Sequence, residues 1–467
     1  MNIPEELTVI SSGETNRILG SEPQMCKNTT VEFEGKHNIL FMEKGVRLKD
    51  ARIHFKGDNA LLYLSKGKSK FNTDIELETN AACVFGHNVF MNGSKPLNVR
   101  VREGTSLVIG NDCLFSLAIT IDTKMKNSAK SILIDQHVWL GQKVTITGGS
   151  RIMGGAVIGS DTQIDRKKIP AGSCWGCRNG KLKKLYKNIV FIKKSIRNIS
   201  RENLGMNDTI SEDELQEILT ITGNNWKWVL KMIENVSSSE EKLSLLRESR
   251  ARRKYKRPEY KNPDEDMSYQ EESEALGNRI IGNFSKCNTK IRFRGNGNVL
   301  IVEDGVELRG SRLAFRGDNS LVYLSKNKHP YRIKASIHTD TNIFIGEDNR
   351  FTKGSPLNLS AAEAQSILIG NHCSFGEDVW LRTSDQHPIY DQKTRKRINP
   401  AKSILIENSS DIPDEALIFK GRWIGIKKEA DSDNKYVQAL KELQETTDLT
   451  KRIDTMLKLR SDAPQTS

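Results

Sequence analysis

From Ile134 onward an aliphatic residue returns every six positions, at Ile134, Leu140, Ile146, Ile152, Ile158 and Ile164. A period of six matches neither the 3.6 of a helix nor the alternation of a simple strand. It predicts a parallel β-helix, in which each hexapeptide makes one flat side and three sides close a coil. The aliphatic residue points inward onto its counterpart in the next coil, and Gly and Asn turn the corners. The same step occurs at Ile109, Phe115 and Ile121, and again at Ile369, Phe375 and Leu381. Short β-prone runs at 31–33, 61–64, 291–293 and 321–324, separated by Gly-Asp-Asn or similar turns, predict less regular coils of the same solenoid. The pattern then changes. Apolar residues at helical spacing (Leu215, Ile218, Leu219, Trp226, Val229, Leu230) predict a helix over 213–232. Further helices are predicted over 239–250 and 436–459.

The chain also contains itself twice. Gly45, Val46, Leu48, Phe55, Gly57, Asp58, Asn59, Tyr63 and Leu64 recur 260 positions later as Gly305, Val306, Leu308, Phe315, Gly317, Asp318, Asn319, Tyr323 and Leu324. A constant offset over so long a stretch means a duplicated domain. The reading is an all-β solenoid: an N-terminal segment 1–27, a first β-helix domain 28–183, a helical linker 184–275, a second β-helix domain 276–429 and a C-terminal helix with tail 430–467. The helices serve as spacer or as caps over open solenoid ends.

Composition narrows the partners. Against 59 Asp and Glu stand 72 Lys and Arg, a net charge of +13, which calls for a polyanionic or anionic-surface partner. Eight of the basic residues fall within 247–261, where the bland reading is a spacer and the sharper one a contact to a polyanion or membrane surface. Seven cysteines without regular spacing fit free thiols in a reducing compartment. Cys174 and Cys177 form a single CxxC with no second pair, so no metal is expected. No stretch approaches a membrane span and no leader is evident at the N-terminus, which predicts a cytoplasmic protein, peripheral at most to the inner membrane face.

Several segments resemble a known family. Ser384-Asp385-Gln386-His387-Pro388-Ile389-Tyr390-Asp391, Arg395-Lys396-Arg397-Ile398-Asn399 and Ala401-Lys402-Ser403-Ile404, together with the hexapeptide steps, are similar to the left-handed β-helix acyltransferases. Within these they most resemble the O-acetyltransferases of bacterial capsular polysaccharides, especially sialic-acid polymers. The resemblance covers 28–183 and 286–428 and implies two tandem left-handed parallel β-helices. It implies acetyl-CoA as acyl donor, an acidic polysaccharide as acceptor, a homo-oligomer (a trimer) and no nucleic acid. His387 matches the family's base, with Asp385 to orient it. Trp139, in Val138-Trp139-Leu140-Gly141, matches the family Trp beside the oxyanion. Gly141, Gly159 and Lys181 match the edge along which the pantetheine arm lies. Lys393, Arg395, Lys396, Arg397 and Asn399 would face the acceptor. His137, Trp226 and Trp228 read as structural.

The two copies depart from that pattern in opposite ways. Copy one runs from Ile121-Asp122-Thr123 almost directly into Ser128-Ala129-Lys130, so the offset grows from 260 to 272 and the segment bearing the His is lost. Copy two runs from Ile406-Glu407-Asn408 to Asp411-Ile412-Pro413, an offset of 243, and lacks the Trp coils. Complementary loss favours a composite site, His387 from one repeat and Trp139 with its coils from the other. The competing reading is a catalytically inactive scaffold or polysaccharide-binding protein of a capsule-synthesis complex.

Overall fold

The computed structural model describes residues 7–12, 15–67, 69–92, 95–178, 180–223, 226–251, 270–271, 276–425 and 434–460. The chain divides into two compact units. Unit 1 comprises 1–192, 210–259 and 389–396; unit 2 comprises 193–209, 260–388 and 397–467. The division interleaves along the chain, so the helices before residue 260 belong with the first solenoid, and a short piece of the second repeat belongs there too.

In unit 1 two eight-stranded sheets and one six-stranded sheet run side by side, each built almost wholly of parallel neighbours. Leu114–Phe115 pairs with Trp139–Leu140, which pairs with Val157–Ile158, eighteen residues on. Earlier coils are longer: Arg52 pairs with Asp74, twenty-two residues on. Hexapeptide regularity therefore holds only in the later coils, as the pattern predicts. All six residues of the period-six series are buried and share one core with Ile109, Phe115 and Ile121. In unit 2 Ile369, Phe375 and Leu381 occupy the equivalent core. The fold class expected from the sequence, an all-β solenoid of parallel β-helices with helical additions, is the one observed.

The repeated Gly-Asp-Asn corner shows why those residues recur. A Cβ on Gly57 would lie 2.3 Å from the Thr79 nitrogen, and one on Gly317 2.3 Å from that of Thr339. Asp58 and Asp318 each accept a backbone N–H from the preceding coil at 2.7 Å. Asn59 and Asn319 sit at φ 55° and 53°, the left-handed region that Asn tolerates. One corner thus needs no side chain, an acceptor and a residue content with positive φ, in that order.

Four of the described helices pack on solenoid flanks. α1 (Glu212–Gly223), α2 (Lys227–Glu234) and α3 (Ser239–Ala251) follow in unit 1, with α4 (Lys435–Glu445) and α5 (Leu449–Arg460) in unit 2. The single helix expected over 213–232 is two, and so is the tail helix. α2 and α3 lay Trp226, Val229, Leu230, Ile233, Leu243 and Leu246 on a flank of the solenoid made by Leu61, Tyr63, Val84, Val108 and Leu133. α4 and α5 do the same in unit 2 against Leu321, Tyr323, Phe344, Leu368 and Leu405. The reason is visible in those strands: Leu61–Leu64 and Leu321–Leu324 are apolar on both faces, so a second apolar layer is needed outside. A buried cation ties each pair to a corner. The Lys242 ammonium donates to the Asn80 carbonyl at 2.6 Å, and burial pushes its pKa down to about 8. Arg452, fully buried, donates to the Asn319 and Thr341 carbonyls at 2.7 and 2.9 Å and to the Asn342 side chain. Among the described residues no helix is long and apolar enough to cross a membrane. The basic run 247–261 lies, beyond residue 251, outside the described residues.

Leu230→Ala, which empties a fully packed site between helix and sheet, is expected to cost about 2–5 kcal/mol in chemical denaturation. Ile10→Ala, at a half-exposed edge position, should change stability by no more than about 0.5 kcal/mol.

Candidate functional site

The segment that copy one lacks is an excursion from a coil of unit 2. It leaves after the strand Trp380–Arg382 and closes where the Lys402 N–H donates to the Thr383 carbonyl at 3.0 Å. In copy one the equivalent closure, Lys130 N–H to Thr123 carbonyl at 2.9 Å, encloses only a short turn.

Thr383 accepts the Ala362 N–H at 2.9 Å, continuing the solenoid register. Ser384 bonds to the Glu363 carboxylate and takes the Gln386 N–H at 2.9 Å. Glu363 also forms a fully buried ion pair with Arg397, 2.7 Å, the side chains being 1% and 3% exposed. Asn399, buried, donates to the His387 carbonyl at 2.9 Å and to Asp385 at 3.1 Å. Lys420 then bonds to Asp385 and, at 2.9 Å, to the Asn399 carbonyl. The two ends of the excursion are thus clamped by Glu363–Arg397 and by Asp385–Asn399–Lys420.

His387 itself is half-buried. Its Nδ1 lies 3.2 Å from the Lys194 carbonyl, and since a carbonyl only accepts, Nδ1 carries the proton and Nε2 is the basic nitrogen of the neutral ring. Burial pushes its pKa down to about 4, and the nearby Arg197 and Lys193 charges act in the same direction, although the ring keeps part of its surface accessible. The imidazole is neutral at pH 7, as a proton acceptor must be. The expected orienting role of Asp385 is filled by a backbone carbonyl at Nδ1; Asp385 instead holds Lys420 and Asn399.

Four expected residues are therefore gathered in unit 2: His387, Asp385, Arg397 and Asn399. Two of these differ from the expectation of acceptor contacts. Arg397 is committed to Glu363, and Asn399 positions the backbone of His387. Lys393, Arg395 and Lys396 are exposed on a turn within unit 1, following the strand Ile389–Asp391, which pairs antiparallel with Ile189–Phe191. Asp391 caps that turn through the Lys393 and Thr394 N–H groups at 3.1 and 2.7 Å, and Arg395 meets Glu212 at 3.4 Å.

The cofactor-side residues all fall in unit 1. Trp139 is buried beneath Phe191, ring centroids 5.6 Å apart, and Phe191 stacks on His137 at 4.2 Å. His137 Nε2 meets the Phe191 carbonyl at 2.8 Å, a structural role. A Cβ on Gly141 would lie 2.5 Å from the Ser160 nitrogen, so Gly is required there by coil stacking alone; at Gly159 the nearest atom is 3.4 Å away. Lys181 is exposed on the hairpin Cys174–Arg178/Lys181–Tyr186 that ends the third sheet. Between residues 171 and 188 the sequence holds Arg178, Lys181, Lys183, Lys184 and Lys187 and no carboxylate. That donor set fits the phosphates of a ligand such as coenzyme A. Cys174 is buried and Cys177 exposed, both as free thiols.

Sequence reasoning missed Lys420, Glu363 and the Lys194 carbonyl. Nothing local marks them, because each acts on a residue far away in the chain.

No family model matches the chain. It is similar to two curated proteins, each named polysialic acid O-acetyltransferase. That of Neisseria meningitidis is 25% identical over 133 residues, 28% of this chain and 60% of the relative. That of Escherichia coli O1:K1 / APEC is 43% identical over 56 residues, 12% of this chain and 18% of the relative. The chain thus matches less than two thirds of the length of either. Among solved structures it is similar to the polySia specific acetyltransferase NeuO, with TM-score 0.35 and 23% identity over 41% of this chain and 90% of that one. It is also similar to the polysialic acid O-acetyltransferase OatWY, with TM-score 0.33 and 20% identity over 40% and 91%. The two curated relatives bear out the resemblance read from the sequence.

Arg397→Ala leaves Glu363 buried without its partner and is expected to destabilise the protein by about 3–5 kcal/mol in chemical denaturation. Lys396→Ala, one residue away and exposed, should stay within about 0.5 kcal/mol of the parent. A stable Arg397→Ala protein would return that arginine to the acceptor-contacting set.

Proposed function

We propose that this protein is an O-acetyltransferase that transfers an acetyl group from acetyl-CoA to a hydroxyl of an acidic capsular or surface polysaccharide, with His387 as the general base. The observation that carries this reading is the pairing of His387 Nδ1 with a backbone carbonyl on a ring that is neutral at pH 7. A sugar hydroxyl is too weak an acid to attack unaided near neutrality. Nε2 takes its proton as the oxygen attacks and gives that proton to the departing thiolate, so the imidazole ends as it began. Acetyl-CoA supplies the activated acetyl thioester. Asn399 is a positioning residue: it fixes the His387 backbone. The exposed cations around Lys181 would hold the donor's phosphates, and the exposed Lys393, Arg395 and Lys396 would meet acceptor carboxylates.

The proposal keeps the composite arrangement, in which the coils around Trp139 in the first repeat act together with His387 of the second. Its support is the complementary loss of pieces between the repeats. One observation favours the scaffold reading instead: Trp139 is covered by Phe191 rather than presented on an open edge. Release of thiol from acetyl-CoA in the presence of a sialic-acid polymer separates the two readings, since an inert scaffold releases none.

His387→Ala should lower that turnover by at least about 100-fold, the usual contribution of a positioned base, while Trp139→Ala reports the part played by the first repeat. In a composite site both variants lose turnover; if Trp139→Ala turns over normally, the composite arrangement is wrong. The pH profile adds a check on His387. Because its folded pKa lies below the ordinary 6.5, the neutral, active form persists as pH falls, and the acid limb of kcat/KM should lie near pH 4. An acid limb near 6.5 would mean that another group, or an unperturbed ring, is the base. The same shift makes stability fall between about pH 6.5 and 4, where the unfolded chain gains the proton first.

A further inference from the structure

On the outer face of the first sheet of unit 1, four acidic side chains are paired with Lys or Arg. Glu76 meets Lys56 and Arg100 at 3.0 and 3.1 Å. Asp74 meets Arg100 at 3.1 Å, and Glu78 and Asp122 meet Arg102 at 2.9 and 2.7 Å. Glu32 and Glu34, on the same face, meet neither Lys nor Arg among the described residues. What stands beside them is the imidazole of His54, on the neighbouring coil.

Backbone register brings these three together. Glu32 is the partner of His54 between the parallel strands 29–33 and 52–55, and Glu34 lies two residues beyond Glu32, on the same side of its strand. The His54 side chain is 7% exposed, with Nε2 2.8 Å from a Glu34 oxygen and 3.9 Å from one of Glu32. All three donor atoms lie within 4.8 Å of one another. Yet the buried Nε2 makes no hydrogen bond. At 2.8 Å only direction can fail, so the nitrogen is aimed past the Glu34 oxygen. Two donors this close, and not directed at each other, are arranged to share a third atom. An imidazolium would balance only one of the two carboxylates and would still lack its hydrogen bond. A shared cation answers both deficits. Donors bound to one ion at about 2.0–2.2 Å stand roughly 3–3.5 Å apart, between the two separations seen here.

We propose that Glu32, Glu34 and His54 bind one divalent transition-metal ion, zinc by the nature of the donors, with water completing the site. Zinc accepts imidazole nitrogen together with carboxylate oxygen, whereas calcium and magnesium take oxygen. The Glu34 side chain is 54% exposed, so an ion can enter from solvent. Its role is structural. It ties the coil of Glu32 to that of His54 near the start of the sheet, where only the strand Leu7–Ser11 lies beyond, and it carries no step of the proposed acetyl transfer. Copy two keeps none of the set: 260 positions on stand Arg292, Arg294 and Ala314, which offer a cation no ligand. No sequence motif announces the site, because Glu32 and His54 are twenty-two residues apart and meet only when one coil has closed.

The test is calorimetric titration of the full chain with Zn2+ after treatment with a chelator. One equivalent is expected, since among the described residues no other three His, Cys, Asp or Glu donors converge so closely. His54→Ala and Glu34→Gln should each weaken that binding at least about tenfold, the least that even an indirect change at a metal site costs. Should His54→Ala fold poorly, Glu34→Gln decides, because its side chain is half exposed and the fold does not depend on it. Parent-like affinity in Glu34→Gln, or no binding by the parent, overturns the proposal. Zn2+ should also raise the midpoint of thermal unfolding in the parent and not in Glu34→Gln; an equal rise in both counts against the site. Loading with Co2+ checks the ligands, for a nitrogen and oxygen site gives visible absorption without a thiolate charge-transfer band. A thiolate band would place the metal on cysteine and overturn the assignment.

Discussion

Each coil of these solenoids closes only if its inward side chains land on those of the coil before, because a one-residue slip would turn the whole apolar set outward. Backbone pairing and apolar stacking enforce the same register, from Val31 on Ile53 to Ile146 on Ile164. What varies is only what may happen between corners. A coil can lengthen from eighteen residues to twenty-two, or carry a long excursion, provided that the chain returns in register. The Glu363–Arg397 pair and the Asp385–Asn399–Lys420 cluster are the devices that bring the His387 excursion back to its coil. A buried ion pair is a costly way to gain stability, but it fixes geometry strongly, since neither partner tolerates loss of the other.

The same constraint explains why the repeats could diverge so far. Removing an excursion or a set of regular coils leaves the remaining rungs stacked as before. Outward residues are freer still. The core positions on the first sheet stayed apolar in both copies, while outward ones changed, as from Glu32 and Glu34 to Arg292 and Arg294. Function in such a fold is written on its outer faces and excursions, and the core records only ancestry.

Helical additions follow from the outer faces too. Strands such as Leu61–Leu64 and Leu321–Leu324 are apolar on both sides, and each solenoid acquired a helical layer to cover that flank. Helical spacing announced these helices, and the alternative of end caps was reasonable until the flank was seen. Pattern alone could not tell a cap from a flank, because both need one apolar helical stripe.

The sequence by itself determined the solenoid, its duplication, the inward series and the position of His387. Each of these is a local regularity or a short motif, and local physics suffices to impose it. Only the tertiary structure decided that Lys194 faces the imidazole, that Arg397 is consumed by Glu363, and that Gly141 is demanded by Ser160. Those relations join residues tens to hundreds of positions apart, and their energies come from burial and charge at contacts that exist only once the coils have stacked.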